Sequence, residues 1–165
     1  MPALLRLLGM LDRLVLGAIV AAACAALGVA AVLVFGQVIL RFVFSAPVSW
    51  ADAAAQMLIV WMVHLGVAVT MRTGALVSVD FLRRMLGPRP RLLLEVAIGA
   101  ATLAFLGNLI WYGLEMAERA QVQRHAVLGI SMAWGYAAVP VGAALSTVTM
   151  LARLLEGAAR QERPA

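Results

Sequence analysis

The chain reads as an all-α integral membrane protein, a four-helix bundle with short amphipathic interfacial helices and both termini cytoplasmic. Two observations predict this. Four apolar stretches long enough to cross a bilayer occupy most of the 165 residues, and arginines collect on alternate sides of them. The composition, 64% hydrophobic against 13% charged, suits a surface solvated mainly by hydrocarbon. It leaves no room for a soluble catalytic domain, so residues 1–165 are read as a single membrane domain.

The first span covers about 14–40, with no charged residue inside it. At about 1.5 Å per residue it outruns a hydrocarbon core of about 30 Å, so it should tilt or project. The second covers about 50–71 and is broken by charge only at Asp52. The third covers about 92–114, with Glu95 in its first turn, and the fourth about 130–151. Helices are expected throughout, because a helix satisfies its own backbone in lipid and the alternating pattern of a membrane barrel is absent. The long first apolar run exceeds the ~7–15 residues of a signal peptide and is read as a retained span.

Arginines set the orientation. Arg6, Arg13, Arg72, Arg83, Arg84, Arg89, Arg91, Arg153, Arg160 and Arg163 lie on one side, and only Arg41, Arg119 and Arg124 on the other, which places both ends inside. The pI near 11 thus reflects juxtamembrane charge facing lipid headgroups, not a nucleic-acid surface. Phe42, Phe44, Trp50, Trp111, Tyr112, Trp134 and Tyr136 fall near the expected outer boundary, with Trp61 the exception at mid-span.

Outside the spans, residues 2–13 suit a helix lying on the inner surface. In the second loop, Ser78 can cap a turn with Phe81, Leu82, Met85 and Leu86 on one face and Asp80, Arg83 and Arg84 on the other, broken by Gly87, Pro88 and Pro90. The terminal ARQERPA is too polar and short to fold alone. Cys24 sits inside the first span and has no second cysteine to pair with.

The most distinctive stretch is QVILRFVFSAPVSWADAAAQMLIVWMVHLG, from Gln37 to Gly66. The chain leaves the first span at Arg41, turns at Ser45, Ala46 and Pro47, and enters a helix at Ser49. Ser49 with Asp52 forms a capping-box-like pair, and Asp52 lies against the positive end of the helix dipole. Two roles remain open for Asp52: positioning the second helix, or contacting another subunit together with Arg41.

Here the chain resembles the small integral membrane subunit (small permease) of tripartite ATP-independent periplasmic (TRAP) transporters. The resemblance rests on Gln37, Leu40, Arg41, Phe42, Phe44, Pro47, Ser49 and Trp50, then Trp61, Leu65 and Gly66, then Arg72 with Val79, Asp80 and Leu82. It continues in LGISMAWGYAAVPVG, with Gly129, Ile130, Trp134, Tyr136, Pro140 and Gly142. The family pattern often has Asn where Ser45 stands and further acidic residues after Trp50. Here Asp52 stands alone, followed by three alanines, and His64 takes an apolar position.

The resemblance implies an uptake system in the bacterial inner membrane. A periplasmic substrate-binding protein delivers an organic acid to a large permease subunit, which moves it inward on an ion gradient. The small subunit supports the large one and offers part of the docking surface. The large-subunit interface is expected at Gln37, Arg41, Ser49, Trp50, Asp52 and Gln56, and binding-protein docking at Arg119, Gln121, Gln123, Arg124 and His125.

The residues themselves argue against carriage by this chain alone. A mid-membrane substrate site needs polar groups facing inward. The central portions of the spans offer Gln37, Gln56, His64, Thr102, Asn108, Ser146, Thr147 and Thr149. The hydroxyls and Asn108 are expected to bond across helices or to their own carbonyls. Gly99, Gly107, and Gly142 with Ala143 suggest close helix packing, and Pro140 a kink. His64 is expected to be a neutral imidazole bonded to a neighbouring helix. With His125 in the outer loop, haem ligation and metal binding are disfavoured, and no cofactor is expected. No nucleophile elbow, metalloprotease helix or phosphate-cradling loop is present, so the chain is not read as an enzyme. Glu115 and Arg119, four residues apart, suit a helix-surface ion pair, and Glu118 and Arg124 a helical extension forming an outer knob. The alternative reading, a self-sufficient four-span carrier acting as a homodimer, needs a membrane-embedded carboxylate in the first span, and Leu14 to Leu40 has none.

Overall fold

A computed structural model describes residues 2–46, 48–73 and 88–161, with side chains described at 13–46, 48–73, 90 and 93–154. The helices are α1 (Pro2–Phe42), α2 (Ser49–Thr73), α3 (Pro88–Arg119), a single turn α4 (Ala133–Tyr136), and α5 (Ala138–Gln161). Four segments are long and apolar enough to cross a membrane: Arg13–Phe42, Ser49–Thr73, Leu93–Arg119 and Ala133–Leu154, the last formed by α4 and α5 together. The all-α class and the number of spans are as expected. The expected amphipathic turn after Ser78 and the bend at Pro47 lie outside the described residues.

The ends of the helices differ from expectation in two places. α1 starts at Pro2 and runs unbroken into the first span, so residues 2–13 are not a separate surface helix. No proline follows Pro2 within this stretch, and a formed helix propagates at little cost. For the same reason α5 continues to Gln161, taking the first part of the polar tail with it.

The helices are ranged as an open row. Among the described residues, close packing follows the order α1, α2, α5, α3, with α4 touching α2, α3 and α5. The fourth span is the centre: 33% of its most apolar window is buried within the chain, against 11%, 11% and 6% for the first, second and third. That burial depends on absent side chains. A Cβ on Gly142 of α5 would lie 2.5 Å from His64 Cβ, and one on Gly113 of α3 would lie 2.9 Å from Pro140 Cδ. Each glycine therefore marks where two helices meet almost backbone to backbone. Gly99 and Gly107 carry no such contact, contrary to expectation, because both lie clear of the neighbouring helices.

Polar links pin the central pair. Thr149 Oγ1 donates to the Ala68 carbonyl at 2.9 Å, and Trp61 Nε1 donates to the Trp134 carbonyl at 3.1 Å. The second link explains why Trp61 stands below the boundary aromatics. The other hydroxyls turn back on their own helices: Ser146 to Gly142, Thr147 to Ala143 and Thr102 to Ile98. His64 does likewise, its Nδ1 lying 2.8 Å from the Val60 carbonyl of α2. Among the described residues the expected bond to a neighbouring helix does not form; α5 meets His64 at its backbone and Cβ, through Gly142. Pro140 has no N–H for the Tyr136 carbonyl, so that rung is missing where α4 passes into α5, while Ala137 between them keeps a helical backbone with bonds to Ala133 and from Val141.

Candidate functional site

The polar side chains of interest gather at the arginine-poor end of the helices, in two groups. The first is the corner joining α1 to α2. α1 ends at Phe42, and Ser45 takes a left-handed backbone, φ +50°, that turns the chain so that the Ala46 N–H reaches the Leu40 carbonyl at 3.0 Å. Few residues other than Gly take this conformation, and Asn adopts it more readily than Ser. Arg41, Ser49, Trp50, Asp52 and Gln56 are exposed, and Gln37 is half-buried on α1.

The expected capping box is not made. Ser49 is already the first residue of α2, one position too late for its hydroxyl to cap, and Asp52 sits in the first turn without a side-chain partner among the described residues. Arg41 does not pair with Asp52 either; its guanidinium carbon lies 5.7 Å from the centre of the Phe42 ring. Beside the half-buried Gln37, the corner thus exposes one cation, one anion, an indole and the Gln56 amide.

The second group is the connection from α3 to α4. The helical extension expected through Arg124 is absent: α3 ends at Arg119, and residues 120–132 form a small hairpin closed by a bridge between Arg124 and Ser131. The His125 N–H donates to the Ile130 carbonyl at 2.8 Å, the Met132 N–H to the Gln123 carbonyl at 2.9 Å, and Gly129 takes φ +67° at the turn. Ser131 is its hub. Its hydroxyl lies 3.2 Å from the Ala120 carbonyl and 3.1 Å from the Gln121 carbonyl, and it accepts from the Ala133 N–H at 3.2 Å. Arg124 donates to the Gly129 carbonyl at 3.1 Å while its side chain stays in the open. Gln121 and Gln123 are exposed and His125 half-buried. Arg119 pairs with Glu115, as the spacing suggested.

The two groups meet. They do so through α4, where the Met57 Cε of α2 comes within 3.6 Å of a Cβ position on Gly135. An open cleft of about 370 Å³ lies there, lined by Gln56, Met57 and Val60 of α2 and by His125, Met132 and Tyr136. Gln56 and His125, assigned from sequence to different partners, therefore share one cleft. Ser131 and Met57 were not singled out from sequence; Gly129, between Leu128 and Ile130, was the available signal for a turn. Replacing Ser131 with Ala removes the hub, and we expect a loss of about 1–2 kcal/mol, read as faster amide exchange at His125 and Met132 with the spans unaffected.

A family model, described as the DctQ component of tripartite ATP-independent periplasmic transporters, matches residues 30–160. The chain belongs to the DctQ family. It is thus the small subunit of a TRAP-type transporter, a multi-pass membrane protein. The matched region takes in the corner, the hairpin and all of the polar residues just described. The sialic acid TRAP transporter small permease protein SiaQ of Vibrio cholerae is 29% identical over 120 residues, 73% of this chain and 67% of that protein. The sialic acid TRAP transporter permease protein SiaT of Haemophilus influenzae is 29% identical over 113 residues, 68% of this chain but 18% of that protein. In the second relative, a DctQ-like segment is one part of a much longer permease polypeptide.

Proposed function

We propose that this DctQ subunit braces a large permease subunit in the bacterial inner membrane and helps a periplasmic substrate-binding protein dock, within a system that takes up an organic acid on an ion gradient. Both termini are cytoplasmic in this reading, so the corner and the hairpin face the periplasm. The observation that carries it is the corner itself: Arg41, Ser49, Trp50, Asp52 and Gln56 are exposed together at the end of helices whose other surfaces suit lipid. Such groups are available to a protein neighbour and gain little from lipid. The hairpin beside them offers a preformed polar surface for a soluble partner. Sialic acid, named for both relatives, is itself an organic acid, and its selection belongs to the partners that hold it.

Supporting the large subunit is tested by co-purification. Trp50→Ala should lower recovery of the large subunit by roughly tenfold or more, as expected for a central aromatic anchor, and Asp52→Ala by less. Undiminished recovery with both variants, at normal membrane levels of the small subunit, excludes the corner as the contact. A self-sufficient homodimeric carrier fits less well, since the mid-span hydroxyls described above donate to backbone carbonyls.

A further inference from the structure

Far from the corner, α3 carries a polar side chain where lipid has nothing to offer it. Asn108 lies near the middle of the span Leu93–Arg119 and is exposed. Leu106, 1% exposed, points into the row. Asn108 is about 200° further round the helix, on the side away from α5. One amide N–H is used, with Nδ2 donating to the Ala104 carbonyl at 2.9 Å. The second N–H and the Oδ1 acceptor have no partner among the described residues. The hydroxyls of Thr102, Ser146, Thr147 and Thr149 differ in this respect, since each donor is satisfied within the chain.

We infer that the face of α3 around Asn108 is a lateral contact for a membrane helix of the large permease subunit, with the Asn108 amide hydrogen-bonded across it. This rests on the reading that the chain braces such a subunit. Hydrocarbon supplies no donor or acceptor, so the amide is stabilised by a protein neighbour at that depth. The surroundings offer both small and large contacts: Ala104 and Gly107 are exposed about a turn or less from Asn108, nothing lies within 4 Å of a Cβ position on Gly107, and Phe105, Trp111 and Tyr112 are exposed beside them as apolar area for the same helix. α3 also ends the row, so a helix can be seated there without displacing α5. The relative in which a DctQ-like segment is part of a longer permease polypeptide favours the permease as occupant over a second copy of this chain.

Photo-cross-linking in membranes containing both subunits tests the contact. A photoreactive residue replacing Asn108 should form an adduct with the large subunit, and one replacing Trp50 reports separately on the corner. An adduct from position 50 with none from 108 overturns the inference and leaves the bracing role intact; an adduct at 108 only between small subunits also overturns it. Silence at both positions removes both. In parallel, Asn108→Leu and Ala104→Leu should each lower co-purified large subunit by roughly threefold to thirtyfold at an unchanged level of the small subunit, the range spanned by interhelical polar contacts in membranes. Full recovery with both variants counts against the contact whatever their folding.

Discussion

Gly142→Ala should loosen the centre of the row by about 1–3 kcal/mol, and Gly142→Val by more, although each adds only one or three carbon atoms. A methyl group at Gly142 would lie 2.5 Å from His64 Cβ, 3.0 Å from the His64 carbonyl oxygen and 3.1 Å from its carbonyl carbon. Two of these three neighbours are backbone, so no rotamer change relieves the clash. α2 and α5 must move apart instead, which also lengthens the Thr149–Ala68 and Trp61–Trp134 hydrogen bonds on either side of the contact. The measurement is unfolding of the detergent-solubilised subunit by heat or by an added harsh detergent. Gly107→Ala and Gly28→Ala are the controls, since nothing lies within 4 Å of either position, and both should be neutral or slightly stabilising. His64→Gly should rescue Gly142→Ala only in part, because it removes the closest atom and leaves the backbone pair. Equal stability of Gly142→Ala and Gly107→Ala would show that the helices are not in contact at this depth.

This contact also shows how far the sequence is legible. Hydropathy determines that four helices form, since lipid imposes one solution on an apolar stretch of that length. Gly142 beside Ala143 was readable as a packing site, yet Gly99 and Gly107 look alike in sequence and lie in the open. The difference is a matter of which way each helix faces, and in a membrane span the buried and lipid-facing sides are both apolar. The hydrophobic periodicity that orients a soluble helix is therefore lost. The corner was identified correctly as a polar, exposed turn, but a one-residue difference in where α2 begins cancels the Ser49–Asp52 cap. At the same end of the molecule, Gln121 to His125 were visible as a polar outward segment. Their hairpin was not, because its closure depends on the Ser131 hydroxyl reaching back ten residues to the Gln121 carbonyl. Local helix propensity carries no trace of such a bond.

The hairpin supports the second large effect. Charge reversal at Arg124 should raise the concentration of binding protein needed for half-maximal uptake by about tenfold while leaving the maximal rate nearly unchanged, in proteoliposomes holding both membrane subunits. The split follows from position. Arg124 is exposed on a preformed surface, so under the proposed docking role its charge acts on encounter with the binding protein and leaves the movement of solute untouched. Among the described residues its side chain bonds to the Gly129 carbonyl, and Arg124→Gln, which removes the charge without reversing it, should give an intermediate shift. Arg119→Glu is the less clean experiment, because it exchanges an ion pair with Glu115 for two acids four residues apart and perturbs the end of α3 itself. Raising the salt concentration should weaken docking of the unmodified protein and narrow the gap between it and the Arg124 variants, since exposed charges are screened beyond about 10 Å at 0.1 M. A fall in maximal rate at saturating binding protein, with the half-saturation point fixed, would move Arg124 from the docking surface to the transport step and contradict the role assigned to the hairpin.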